Sequence, residues 1–171
     1  MGLDIYYFKQ KRLKGQEKET YKHLVAKCNE LGVKICRESD KGNDIAANNL
    51  LKKKKKYGKE MNKICELTHV AYYRKVNFLI RHFGYPEDAT KVMEVPVTKE
   101  QVESLVEKCK AVLENHDSAE ELLPTVDGPF FGGTDYDEDY YYDVKSVLKD
   151  FEKILSETDF DTHELIMSCW W

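Results

Sequence analysis

The chain has no Cys-x-x-Cys pair, and its five cysteines, Cys28, Cys36, Cys65, Cys109 and Cys169, are odd in number and widely spaced. That distribution suits reduced thiols and argues against a disulfide framework or a zinc site. No apolar run approaches the roughly 18 residues needed to span a bilayer. The opening Met-Gly-Leu-Asp-Ile-Tyr-Tyr-Phe lacks the basic stretch, apolar core and small-residue cleavage site of a signal peptide, so a cytoplasmic location is expected. Tyr6 stands where a myristoylation signal normally carries Ser or Thr.

Familiar catalytic signatures are missing too. Gly-x-Ser-x-Gly, His-Glu-x-x-His and Gly-x-Gly-x-x-Gly do not occur. The five histidines are scattered, none at ligand spacing from another or from a cysteine. Pairing His69 or His82 with Asp137 as acid and base would depend on the fold bringing them together, and isolated histidines are the ordinary alternative. No catalytic residue, metal ligand or cofactor is expected.

What the sequence does hold is enough for one domain. A chain of 171 residues, 42% of them hydrophobic, builds a core without metal or disulfide. Tyrosine is abundant, at 11 residues, and its amphipathic ring suits half-buried sheets and binding surfaces. The net charge of −4 argues against nucleic acid as a partner.

Leu3–Phe8 reads as an opening strand. Tyr21, Leu24, Val25, Cys28 and Leu31 are spaced for a helix that stops at Gly32. Ile45, Leu50 and Leu51 are helix-compatible, and the run Lys52 to Lys56 predicts a solvated helix end or a mobile loop. Ile64 to Tyr73 alternates weakly as a strand. Tyr72, Val76, Leu79, Ile80 and Phe83 fall at helical spacing, predicting an amphipathic helix over Tyr72–Phe83. Lys91–Val97 reads as another strand. Thr98 and Gln101 form a capping box for a helix over Thr98–Asn115. Leu122 to Thr134, with two prolines and three glycines, is a loop. A long helix over Tyr136–Glu157 and a terminal strand over Glu164–Trp170 complete the chain. The expected fold is α+β, a small antiparallel sheet with about three main helices on one face, in a single domain 1–171.

Three stretches carry a resemblance: MGLDIYY at the start, AYYRKVNFLIRHF in the middle, and ELLPTVDGPFFGGTDYDEDYYYD late. Together they resemble a family of small uncharacterised bacteriophage proteins. The matching residues are Gly2, Leu3 and Asp4, then Tyr73, Arg74, Lys75 and Asn77, then Leu122 to Pro124 with Phe131, Gly132, Thr134, Tyr136 and Asp137. Residues Lys9 to Lys59 lie outside the match. The resemblance implies a setting, a phage protein in the cytoplasm of a bacterial host cell, and no particular chemistry.

Two surfaces are candidates for binding. On a helix over Tyr72–Phe83, Arg74, Lys75, Asn77, Phe78, Arg81 and His82 would gather opposite the apolar stripe, where Arg offers bidentate recognition of an anion. A merely solvated face is the alternative. The loop Asp127-Gly-Pro-Phe-Phe-Gly-Gly-Thr-Asp135 is the second, with Phe130 and Phe131 either stacking on a ligand or tucked into the core. Thr134 and Tyr136 flank it. Asp135, Asp137, Glu138, Asp139 and Asp143 supply carboxylates for a hard cation, without the order of an EF-hand.

These features predict a non-catalytic binding protein that holds a small anionic, nucleotide-like ligand to counter host defence. The alternative is a protein that inhibits a host enzyme by direct binding through the acidic, Tyr-rich patch Asp135 to Asp143. A hydrolase or transferase of unfamiliar type is a third reading.

Overall fold

The computed structural model describes residues 2–86, 94–128 and 130–171. It divides into two compact units, residues 11–67 and residues 1–10 together with 68–171.

The first unit is a helical hairpin of α1 (Gly15–Asp40) and α2 (Asp44–Ile64). Tyr21, Leu24, Cys28, Leu31 and Ile35 recur every three or four residues along α1, as do Ala47, Leu50, Lys54, Tyr57, Met61 and Ile64 along α2. The two helices pack along these seams, with Cys28 Sγ 3.8 Å from Met61 Sδ. Asn43 caps α2, its side chain accepting from the Ala46 amide at 3.3 Å.

Two expectations are corrected here. The first helix does not stop at Gly32 but continues to Asp40. A glycine inside a helix costs only about 1 kcal/mol, and the apolar seam resumes beyond it at Ile35. A side chain at Gly32 would meet the Lys54 ammonium at 3.4 Å, so the glycine also suits a close approach between the helices. The lysine run is neither a helix end nor a loop, because Lys52 to Lys56 lie in the middle of α2. Lysine is a good helix former, and the seam passes through Lys54.

The second unit is α+β. Its four-stranded antiparallel sheet runs in the order β2-β1-β4-β3, formed by β1 (Asp4–Lys11), β2 (Thr68–Arg74), β3 (Glu94–Val97) and β4 (His163–Trp170). Lys91, Val92 and Met93, the start of the expected third strand, lie outside the described residues. β1 pairs with β2 so that Ile5 faces Tyr73 and Tyr6 faces Tyr72, until a bulge after Tyr7 shifts the register to Phe8 and His69. β3 occupies an edge, where Pro96 is tolerated.

Alternation sends Leu3, Ile5, Tyr7, Tyr73, Leu165 and Met167 to one buried face. Against it lie α4 (Lys99–Glu114) and α6 (Glu138–Glu157), which also pack on each other, with the short α5 (Ala119–Leu122) between them in the chain. The stripes of Val102, Leu105, Cys109 and Val112, and of Tyr140, Val144, Val147, Phe151 and Ile154, are buried as their spacing predicts. The capping box forms as expected, with the Gln101 amide donating to Thr98 Oγ1 at 3.2 Å and the Thr98 amide to Gln101 Oε1 at 2.9 Å. α6 begins at Glu138 rather than Tyr136, since the Asp137 side chain caps it by accepting from the Tyr140 amide at 3.0 Å.

The amphipathic helix over Tyr72–Phe83 does not exist. β2 continues through Arg74, and only a short α3 (Phe78–His82) follows it. Val76, Leu79, Ile80 and Phe83 are indeed buried, but Tyr72 belongs to the strand and is 44% exposed. Aromatic residues favour strands, and pairing with β1 outweighs the helical spacing here.

The units differ sharply in charge. Residues 11–67 carry sixteen Lys and Arg against eight Asp and Glu, while the remaining residues carry eleven against twenty-three. The modest net charge of the chain is the sum of a basic hairpin and a strongly acidic α+β unit.

Candidate functional site

Two of the stretches singled out in the sequence meet in the α+β unit. β2 ends at Arg74, and Lys75 turns the chain with a left-handed backbone, φ 64°. That conformation is uncommon for lysine and costs roughly 1–2 kcal/mol, so the surroundings must hold it. They do so through the backbone: the Lys75 amide donates to the Leu3 carbonyl at 2.8 Å, and the Leu3 amide donates to the Phe130 carbonyl at 3.0 Å. Gly132, at φ 102°, lies so close that a Cβ there would stand 3.0 Å from Lys75 Cβ.

Asn77 secures this junction. Its amide nitrogen donates to the Gly133 carbonyl at 2.9 Å and to the Phe131 carbonyl at 3.4 Å, while its oxygen accepts from the Val126 amide at 3.2 Å. The side chain is buried, and both its polar atoms are engaged by the loop backbone. Asn77 is therefore a staple that ties Val126, Phe131 and Gly133 to the end of β2.

The result is an open cleft of about 330 Å³, lined by Lys75, Asn77 and Phe78 on one side and by Gly132, Gly133 and the start of α6 on the other. Asp135, Asp137, Asp139 and Asp143 also line it, so four carboxylates face a single ammonium. Half-burial of Asp143, together with the negative charges of Asp139 and Asp137, pushes its carboxyl up to about 6. The N-terminus of α6 offsets part of that repulsion by favouring acidic side chains. Tyr140 closes the floor, its hydroxyl donating to the Leu123 carbonyl at 2.8 Å.

The sequence-predicted site residues divide. Lys75, Asn77 and Phe78 line the cleft, although the Phe78 side chain is buried and rests edge-on against Tyr140 at 5.5 Å. Thr134 and Tyr136 shape its rim: the Thr134 carbonyl accepts from Thr125 Oγ1 at 3.0 Å, and the Tyr136 ring packs on Tyr140 at 4.9 Å. Arg74 and Arg81 do not join them. Arg74 pairs with Asp4 at 3.5 Å, and Arg81 is exposed at the end of α3. The two phenylalanines separate, as neighbouring residues on a tight turn do. Phe131 is buried against Trp171, with ring centroids 5.1 Å apart, while Phe130 is 55% exposed at φ 70°.

Neither histidine considered for acid–base work lines the cleft. His82 Nε2 donates to the Gln101 carbonyl at 2.9 Å, and burial holds its pKa below the usual value, so the ring is neutral near pH 7. His69 packs on the rings of Tyr6 and Phe8. Among the described residues no three carboxylate, imidazole or thiol groups converge into an arrangement that would hold a metal ion. None of the five cysteines is in a disulfide, and burial raises the thiols of Cys109 and Cys169 to about 12, too weakly acidic for nucleophilic work. No helix among the described residues is long and apolar enough to cross a membrane.

Thr125 was missed by the sequence reading, since it reaches the site through the Thr134 carbonyl across nine residues. The aspartates were visible as an acidic run, but that they line one cleft with Lys75 depends on the fold. No family model, curated protein or solved structure matches this chain.

Proposed function

We propose that the chain is a non-catalytic protein-binding module whose acidic, tyrosine-rich cleft receives a basic side chain of a protein partner. One observation carries this reading: four aspartates line the cleft against one lysine, and half-burial of Asp143, with the charges of Asp139 and Asp137 beside it, raises its carboxyl to about 6. A guanidinium or ammonium placed there would relieve the repulsion and gain charge-assisted hydrogen bonds. Tyr136, packed on Tyr140 beside the cleft, and the exposed Tyr142 on α6 add the amphipathic rings favoured at interfaces. With the phage resemblance taken as the setting, the partner is a host enzyme inhibited by this contact.

The nucleotide-like anion expected from the sequence is less well supported. It would meet the same four aspartates, and Arg74, assigned to hold it, is paired with Asp4 instead.

Titration calorimetry of the full chain with an arginine-rich peptide and, separately, with ATP tests this. The peptide is expected to bind the wild type, and Asp139→Asn with Asp143→Asn to weaken it at least tenfold, about 1.4 kcal/mol. Binding of ATP with no response to the peptide would overturn the proposal.

A further inference from the structure

The hairpin poses a separate question, because its two helices are not charged alike. α1 carries five basic and five acidic residues, so it is balanced overall. Several of its charges also pair, as Lys34 does with Glu30 at 2.6 Å and Lys22 with Glu19 at 3.2 Å. α2 carries seven lysines against Asp44 and Glu60 alone. Lys52, Lys56, Lys59 and Lys63 are all exposed and follow one another at intervals of four, three and four residues. At 100° per residue they form a single stripe about 17 Å long, with Lys55 at its side. None of these five lysines has an ion-pair partner among the described residues.

Such a stripe is locally unfavourable. Like charges four residues apart on a helix repel by a few tenths of a kcal/mol per pair, and hairpin packing does not require them, since the apolar seam of α2 lies elsewhere. We infer that the outward face of α2 binds the phosphate backbone of nucleic acid. The chemistry fits that occupant. A row of flexible point charges without arginine neutralises phosphates in sequence but offers no planar fork for reading bases. An anionic membrane is a poorer fit, because the apolar face that α2 would have to insert is packed against α1. The chain's net charge hides the stripe, as the acidic residues responsible for it lie mostly outside residues 11–67. This inference uses none of the cleft residues and stands or falls apart from them.

The test is fluorescence anisotropy with the full chain and a labelled DNA duplex of about 20 base pairs and arbitrary sequence, titrated at several salt concentrations. Binding is expected at low salt, with log affinity falling against log salt at a slope of about −3 to −4, as for some four phosphates neutralised. The variant Lys52→Gln/Lys56→Gln/Lys59→Gln/Lys63→Gln should lose at least tenfold in affinity and flatten the slope. Its helical circular dichroism should be unchanged, because glutamine keeps the helix propensity. Lys22→Gln/Lys34→Gln, which removes paired charges on α1, should change affinity by no more than about twofold. Equal affinity in the stripe variant, or no binding to duplex and single strand at low salt, would overturn the inference. So would binding confined to poly-glutamate or to phosphatidylserine vesicles, which would assign the stripe to an acidic protein or a lipid surface.

Discussion

The hairpin and the α+β unit are stabilised in different ways. The hairpin buries little: along α1 only Leu24 and Leu31 are buried, and along α2 only Ala47. The α+β unit encloses a continuous core in which Tyr7, Phe131, Phe151, Leu105 and Met167 are almost wholly shielded from water. Two helices joined by a narrow seam tolerate a lysine-rich exterior, because most of their residues face solvent anyway. The sheet and its helices fix backbone geometry closely enough to hold Lys75 and Phe130 in left-handed conformations beside a cleft. A rigid region can keep strained residues and unbalanced carboxylates in place. A seam cannot.

The widest separation between the regions should appear in core substitutions. Phe131→Ala is expected to cost about 3–5 kcal/mol in urea unfolding, the scale of an emptied aromatic site. Phe130→Ala, one residue away but exposed, should stay within about 0.5 kcal/mol. Equal costs would mean that the loop does not dock as described.

Asn77→Ala should come next, at about 2–3 kcal/mol, since it leaves a buried Val126 amide without its acceptor and frees two loop carbonyls. Asn77→Asp should not rescue it, because a carboxylate cannot donate to the Phe131 and Gly133 carbonyls.

These two positions show what was legible in the sequence. The apolar stripes of α4 and α6, the capping box and the terminal strands could be read from spacing, because each is a local pattern with one dominant partner. The segment around Tyr73 was legible only in part, because its aromatic residues fit both the weak strand over Ile64 to Tyr73, realised as Thr68–Arg74, and the helix over Tyr72–Phe83, which does not form. Only pairing with Asp4 to Phe8, some 65 residues earlier, decides between them. Lys75, Asn77 and Phe78 line one cleft with Gly132 and Gly133 of the Phe-rich loop, but the basic helix face expected to carry them does not form. The cleft's acidic character follows from the start of α6 folding over the loop. The basic stripe of α2 was fully present in the sequence and was obscured by summing charge over both units.

A smaller effect tests the electrostatics of the cleft. Asp143→Asn should raise stability by about 1 kcal/mol at pH 7, discounted for partial exposure. The sign follows from its raised pKa: the ionised form is penalised in the folded state, so the penalty is complete above about pH 6. It should shrink as pH falls from about 6 toward the ordinary carboxylate value, and the wild type and variant should converge there. Smallest of all, replacing Lys55 and Lys56 with Gln should change stability by less than about 0.5 kcal/mol, since the hairpin does not depend on them. A larger loss would show that the stripe is part of the fold.

The proposed binding of a basic partner rests on the negative charge gathered in the cleft. Carboxyl NMR of the full chain, following Asp143 through a pH titration with and without an arginine-rich peptide, tests it most directly. The free protein should show Asp143 titrating near 6, the raised value set by burial, Asp139 and Asp137, and the peptide should lower it as a guanidinium enters the cleft. An Asp143 that titrates in the ordinary carboxylate range and ignores the peptide would contradict the claim.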